Sequence, residues 1–192
     1  MSRLVLASTS PFRKELLNKL QLAFVTDNPR VDETPLPGES PQQLVARLAE
    51  AKARAVAPLH PGALIIGSDQ VAVNEGTIVG KPGDHIRAAE QLRQASGKRI
   101  TFLTGLALLN SASGQCQVAV EPFSVVFRQL SDEQIENYLK VEQPYNCAGS
   151  FKSEGMGIAL FQRMEGDDPN ALIGLPLIRL IEMLERDQVY VI

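Results

Sequence analysis

The sequence predicts an α/β fold with a mixed sheet flanked by helices. Two observations carry that expectation. Apolar strand-like runs alternate with amphipathic helical stretches along the chain. The 192 residues, 44% hydrophobic and 21% charged, are enough to bury one sizeable core. No internal repeat, low-complexity segment or linker interrupts the alternation, so residues 1–192 read as a single domain.

Arg3 to Ala7 (RLVLA) is a short apolar run suited to a buried strand. Ser10 is placed to N-cap a helix opened by Pro11, with Phe12, Leu16 and Leu20 on one face. Leu22 to Thr26 reads as a second strand, and the Pro-, Glu- and Gly-rich stretch from Asp32 to Pro41 as a loop. Ser40-Pro41 starts a helix running to about Ala57, with Leu44, Leu48, Ala51 and Ala55 along its apolar face. Ala63 to Ser68 is expected as a buried strand ending in Gly67-Ser68-Asp69. Val71 to Asn74 and Thr77 to Val79 flank Glu75-Gly76 as a hairpin, and Asp84 caps a helix ending near Gly97.

Ile100 to Asn110 pairs with Gln115 to Val120 across Ser113-Gly114. Pro122 is expected to interrupt that ladder before a further strand, Phe123 to Arg128. Ser131 and Gln134 form a capping box for a helix carrying Ile135, Tyr138 and Leu139. Met156 to Phe161 reads as a strand, and Asn170 to Arg186 as one helix with Ile173, Leu177, Leu180, Ile181 and Leu184 inside. Gln188 to Ile192 is apolar enough for a strand or a dimer contact.

Composition excludes several functions. Nineteen bases against 22 acids give a net charge of −3, spread as +1 and −4 over the two halves, which speaks against a broad nucleic-acid binder. No apolar run approaches the roughly 18 residues of a membrane span. Met1 to Ala7 is too short for a secretory h-region, so a cytoplasmic protein is expected. Cys116 and Cys147 lie outside any CxxC and read as reduced thiols. The two histidines, His60 and His85, sit in no zinc spacing, and His60, before Pro61, reads as an exposed loop residue. GxSxG, GxGxxG and GxxxxGK[ST] are absent.

Four segments can carry chemistry. In Ser8-Thr9-Ser10-Pro11-Phe12-Arg13-Lys14 a strand gives way to a hydroxyl-rich loop and a helix N-terminus, a phosphate-binding arrangement. Two cations in the first turn oppose the helix dipole, and an anion would compensate them; an ordinary N-cap with solvated bases is the alternative. Asp32-Glu33 pairs acids in a loop, suited to a hard cation or to a plain polar turn. Asp69 lies where open α/β sheets place their sites and could hold Mg²⁺ or take a proton from water; a strand-end turn is the alternative. Gly80-Lys81-Pro82 presents a lysine that could neutralise phosphate, or forms a surface turn. Lys52 sits beside an apolar helix face. Together these suit a magnesium–polyphosphate site.

The ordered segments LASTSPFRKELL, VDETP, IIGSDQV, VGKP, NCAGSFKSEG and GDDPNALIGLPL resemble the Maf family of nucleoside triphosphate pyrophosphatases, from Leu4 to about Leu184. Pro11-Phe12, Asp69-Gln70 and the Ala148–Gly155 segment look like its 7-methyl-GTP subgroup, whose dTTP/UTP relatives carry glutamine in place of Glu154. The resemblance implies an elongated sheet in two lobes with a central cleft. It implies hydrolysis between the α- and β-phosphates, a divalent cation (Mg²⁺ or Mn²⁺), and often a homodimer. By resemblance, Asp69 is the proton acceptor; Phe12, Gln70 and Glu154 set base specificity; and Ser8, Arg13, Glu33, Lys52 and Lys81 line the phosphate and metal pocket, to which the hydroxyl-rich loop adds Ser10 as a phosphate contact. Glu33, with Asp69, would hold the metal.

Guanine presents two adjacent donors, which suits the Glu154 carboxylate, and the cationic 7-methyl base suits an aromatic face such as Phe12. Core packing with Leu16 and Leu20 is the alternative for Phe12, and a loop acid near Lys152 the alternative for Glu154. The rival functions are a broader or dTTP/UTP-directed house-cleaning pyrophosphatase, and a nucleotide-binding regulator of cell division with incidental hydrolysis.

Overall fold

The computed structural model describes residues 3–192. Seven strands form one mixed sheet in the order β2-β1-β3-β5-β6-β7, with β4 paired to β3. The strands are β1 (Arg3–Ala7), β2 (Phe24–Asp27), β3 (Ala63–Asn74), β4 (Thr77–Val79), β5 (Arg99–Asn110), β6 (Cys116–Phe127) and β7 (Phe161–Glu165). The helices are α1 (Pro11–Asn18), α2 (Pro41–Val56), α3 (His85–Ala95), α4 (Asp132–Glu142), α5 (Pro169–Ile173) and α6 (Leu177–Arg186). β1 runs parallel to both β2 and β3, while β3–β4 and β6–β7 are antiparallel.

The chain divides into two compact units. One comprises the residues up to Gln70, with Leu103–Glu121 and Asp168–Ile192; the other comprises Val71–Phe102 and Pro122–Asp167. In the first, the two faces of the sheet bury different partners. Leu4, Leu6, Leu64 and Ile66 pack with Leu16 and Leu17 of α1 and with Leu180 and Leu184 of α6. Val5, Ala7, Ala63 and Ile65, alternating with them, pack against Ala49, Ala53 and Val56 of α2. The second unit is built on four phenylalanines. Phe151 meets Phe102, Phe127 and Phe161 edge to face with ring centroids 4.9–5.6 Å apart.

Helix starts follow the sequence closely. Ser10, Ser40, Asp84 and Ser131 each accept a backbone N–H of the first turn, and Ser40–Gln43 and Ser131–Gln134 close reciprocal capping boxes. The hairpin at Glu75-Gly76 turns on two positive φ angles, 47° and 83°.

Several expectations are corrected. β3 does not end at Asp69 but runs unbroken to Asn74, so Asp69 lies within a strand. β6 continues through Pro122, whose fixed φ is compatible with an extended backbone. Met156–Leu160 is a 3₁₀ turn rather than a strand, and β7 begins only at Phe161. The long C-terminal helix is two helices. Gly174, at φ 125°, and Pro176, which lacks a donor N–H, break it between α5 and α6.

The buried stripe of α2 is Leu44, Val45, Leu48, Ala49, Lys52, Ala53 and Val56, so Ala55 is exposed. The rotation has a cause in the sheet. A Cβ at Gly67 would lie 2.0 Å from the Ala49 carbonyl oxygen, and one at Gly105 2.0 Å from that of Val45. The glycines let the helix backbone rest on the strands. His60 is not an exposed loop residue: its side chain is 11% accessible, with Nε2 2.8 Å from Asp27 Oδ2. Gln188–Ile192 forms no strand; Val189 and Val191 pack partly on the core. Both cysteines are free thiols, and no helix among the described residues is long and apolar enough to cross a membrane.

Candidate active site

Strand alternation sorts the chemistry-bearing residues of β3. Gly67 and Asp69 continue the row of Ala63 and Ile65, the face that meets α2. Ser68 and Gln70 belong to the opposite face, that of Leu64 and Ile66.

On the α2 face, Lys52 Nζ lies 2.6 Å from Asp69 Oδ1 and 2.7 Å from Glu33 Oε1. Lys52 and Asp69 are buried, whereas Glu33 reaches in from an exposed loop. That loop is tied down by Arg47. Its guanidinium donates to Glu39 Oε1 at 2.6 Å and Oε2 at 2.8 Å, and to the Thr34 carbonyl at 3.2 Å. Burial pushes the Asp69 carboxyl above its ordinary value, against the opposing pull of Lys52 and Arg13.

After β1, Ser8 Oγ accepts the Ser10 N–H at 3.1 Å and Ser10 Oγ accepts that of Arg13 at 3.3 Å. The hydroxyl-rich loop is thereby wound into the start of α1. Burial pulls the Arg13 guanidinium below its ordinary value, while the Asp69 and Glu33 carboxylates push it back up. Its Nε donates to the Gly174 carbonyl at 2.8 Å. The Ser68 hydroxyl donates to the same oxygen at 2.9 Å. Phe12 is 38% exposed and stands apart from the core that takes Leu16 and Leu20, so core packing does not account for it.

Gln70 is engaged differently from its neighbour. Its amide nitrogen lies within 3.1 Å of Thr104 Oγ1 and of the carbonyls of Ala171 and Leu172. Both amide hydrogens are therefore taken, and any part in base recognition falls to Oε1.

Lys81 and Glu154 belong to the second unit, and both are exposed. Backbone bonds stitch their segments together. Gly83 N–H donates to the Tyr145 carbonyl at 2.9 Å and Gly149 N–H to that of Gly80 at 3.4 Å. Gln91 Nε2 donates to the Gly80 carbonyl as well, at 3.1 Å. Burial raises the Cys147 thiol, with Lys152 and Lys81 opposing and Glu154 adding to the shift. Glu154 Oε2 accepts from the Ser153 hydroxyl at 3.3 Å.

No group of three or more His, Cys, Asp or Glu side chains among the described residues could hold a metal ion. Glu33 and Asp69 are nevertheless the two carboxylates that converge on one cation, the Lys52 ammonium. That donor set fits a hard divalent ion that completes its shell with substrate phosphates and water.

A family model described as Maf-like protein matches residues 3–187. The chain belongs to the Maf family. A curated relative from Nitrosococcus oceani, named 7-methyl-GTP pyrophosphatase, is 62% identical over 183 residues, covering 95% of this chain and 92% of its own. Among solved structures, the Staphylococcus aureus Ham1 protein aligns over 97% of this chain and 100% of its own, at a TM-score of 0.53 and 15% identity. That likeness concerns the fold alone.

Two residues that support this arrangement escape a reading by residue type. Gly174 supplies the carbonyl that orients Arg13 and Ser68, but the apolar periodicity around it hides the break. Asp168 is buried. Its Oδ1 accepts the Asn170 N–H and side-chain amide at 2.8 and 2.7 Å, and its Oδ2 accepts the Ile178 N–H at 2.8 Å. It thus caps α5 and fastens α6 to it. Asp168-Pro169 carries the same cap-then-proline signal that marks α1 and α2, and would have located this helix start.

Proposed function

We propose that this Maf-family protein is a nucleoside triphosphate pyrophosphatase that hydrolyses 7-methyl-GTP between its α- and β-phosphates. The observation that carries the reaction is the convergence of Asp69 and Glu33 on Lys52, with Arg13 in their field. The name of the Nitrosococcus relative supports the choice of nucleotide.

The residues divide the work. Asp69 removes a proton from water, with Lys52 steadying its carboxylate through Oδ1. The water oxygen forms a bond to the α-phosphorus, the bridging bond to the β-phosphate breaks, and pyrophosphate leaves. Arg13, Lys52, Lys81 and the Ser8–Ser10 loop offset the phosphate charge as it shifts to the leaving group. Glu33 and Asp69 are the residues that would hold a divalent cation, magnesium or manganese, which when bound neutralises phosphate oxygens as a Lewis acid. Glu154 accepts the N1–H and 2-amino hydrogens of guanine, and Phe12 offers an aromatic face to the cationic methylated ring.

The test is pyrophosphate release with Mg²⁺ across 7-methyl-GTP, GTP, dTTP, UTP, CTP and ATP. Selective turnover of 7-methyl-GTP is expected, with Glu154→Gln shifting preference toward pyrimidine triphosphates. Preference of the native chain for dTTP or UTP would overturn the base assignment. Tight binding without turnover of any nucleotide would overturn the enzymatic reading.

A further inference from the structure

The loop that carries Glu154 is built around α4. Phe151, in the phenylalanine cluster, fixes where it begins. The Lys152 N–H then donates to the hydroxyl of buried Tyr138 at 3.0 Å. The Lys152 ammonium turns back onto α4, 3.2 Å from the Glu142 carbonyl and 3.5 Å from its Oε1. On the far side of Glu154, the Met156 N–H donates to Glu142 Oε2 at 2.9 Å. Gly155 leaves the room this needs, since a Cβ there would lie 2.8 Å from both Glu142 carboxylate oxygens. The Gly157 N–H returns to the Lys152 carbonyl at 3.0 Å and closes the loop.

Tyr138 and Glu142 stand four residues apart, one turn of α4, and so present their polar ends on the same side. Between them they hold the chain at 152 and at 156. Glu154 projects from the span between these two attachments and is itself exposed. Neither Tyr138 nor Glu142 carries a role in the function proposed above.

We propose that Tyr138 and Glu142 are positioning residues for Glu154, setting where its carboxylate stands and hence the discrimination of 7-methyl-GTP from pyrimidine triphosphates. This rests on the base-reading role given to Glu154. The chemistry separates the two contributions. Tyr138→Phe keeps the ring and removes the acceptor for the Lys152 N–H. Glu142→Gln keeps an oxygen for the Met156 N–H and removes the charge facing Lys152. Glu142→Ala removes both.

The experiment measures kcat and KM for 7-methyl-GTP and for UTP on the full chain, with melting temperatures as a check on folding. It compares the native protein with Y138F, E142Q, E142A, E154A and the E142A/E154A double variant. Y138F and E142A should raise KM for 7-methyl-GTP by up to about tenfold, the equivalent of one net hydrogen bond lost. Their kcat and their UTP turnover should stay within about twofold, below that tenfold step. E142Q should recover most of the loss, and E142A/E154A should be no worse than E154A alone, because the two act on one interaction.

Equal losses on both nucleotides, or multiplicative losses in the double variant, would overturn the proposal. If E142A does not fold, Y138F and E142Q compared with E154A decide it. If E154A leaves the nucleotide preference unchanged, the base-reading role fails first and the positioning role falls with it. An altered preference in E154A but not in Y138F or E142A would overturn the positioning role alone.

Discussion

The ammonium of Lys52 lies 2.6 Å from Oδ1 of Asp69, with both side chains about nine-tenths withdrawn from water. Burial pushes the carboxyl above its ordinary value, and the neighbouring cation opposes that rise. The base role proposed for Asp69 requires the ionised form. The acid limb of the kcat/KM profile should therefore report on this carboxyl. Lys52→Met removes a group that lowers the Asp69 pKa, so the limb should move further toward alkaline pH while overall activity falls. A limb that stays put or moves to lower pH would remove this coupling.

Asp69→Asn should nearly abolish turnover and leave the fold intact. The folded-state pKa of Asp69 is raised, so its stabilising contribution is fully present below the unfolded value of 3.8 and is lost as pH rises through the folded value. A neutral amide undergoes no such loss. Circular dichroism and a melting curve at neutral pH check the fold, and substantial residual turnover in folded protein would take the base role from Asp69.

Gly174→Ala should reduce both stability and catalysis. The φ of 125° strains any side-chain-bearing residue, at a cost of about 1–3 kcal/mol, and the added Cβ would lie 3.4 Å from Arg13 Nε. At this chain length each 1 kcal/mol corresponds to about 2–4 °C in Tm. Arg13→Lys, which has no Nε to donate to the Gly174 carbonyl, provides the comparison. A lowered Tm with unchanged kcat/KM would mean that Gly174 does not orient Arg13.

Asp168→Ala leaves the N–H groups of Asn170 and Ile178 without their acceptor, at a cost of about 1–3 kcal/mol for each that stays dry. Asp168→Asn keeps one accepting oxygen and should lose roughly half as much. Urea unfolding of the two variants measures the difference. Equal losses would show that charge, rather than the paired acceptors, accounts for this residue.

Arg47→Met should loosen the loop that brings Glu33 to Lys52. The expected result is a higher Mg²⁺ concentration for half-maximal activity, by about fivefold for this part-buried pair. Arg47 and the Leu36 N–H hold the Glu39 carboxyl down to about 2, so the stability that pair contributes is present above 4.5 and is lost as pH falls through the folded value. The variant should therefore lose part of its acid resistance. An unchanged metal titration would detach this loop from the site.

Elements announced by local chemistry were legible in the sequence. Ser10-Pro11, Ser40-Pro41 and Ser131-x-x-Gln134 name their own helix starts because the capping groups are adjacent in the chain. What failed depended on distant partners. The reading ended β3 at Asp69 because Gly-Ser-Asp resembles a turn, whereas sheet pairing carries the strand onward. Ile173 and Leu177 fit one helical stripe, so periodicity ran straight through Gly174 and Pro176. Asp69, Glu33 and Lys52 were each recognisable by residue type, but their convergence is a property of how α2 lies on β3. Asp69 and Gln70 read as a pair, yet strand alternation sends them to opposite faces.

The close approach at Gly67 bears on that convergence. Gly67 and Asp69 share a face of β3, and Ala49, whose carbonyl fills the space above Gly67, lies one helical turn before Lys52. The missing side chain works as a gauge: the thickness of a bare peptide unit fixes how far the lysine stem must reach to its carboxylate. One methyl group at position 67 would lift the helix and stretch an ionic contact two residues further along the strand. The tolerance of the Lys52–Asp69 contact is thus machined into a residue that has no functional group, and a search for chemistry by side-chain type passes over it.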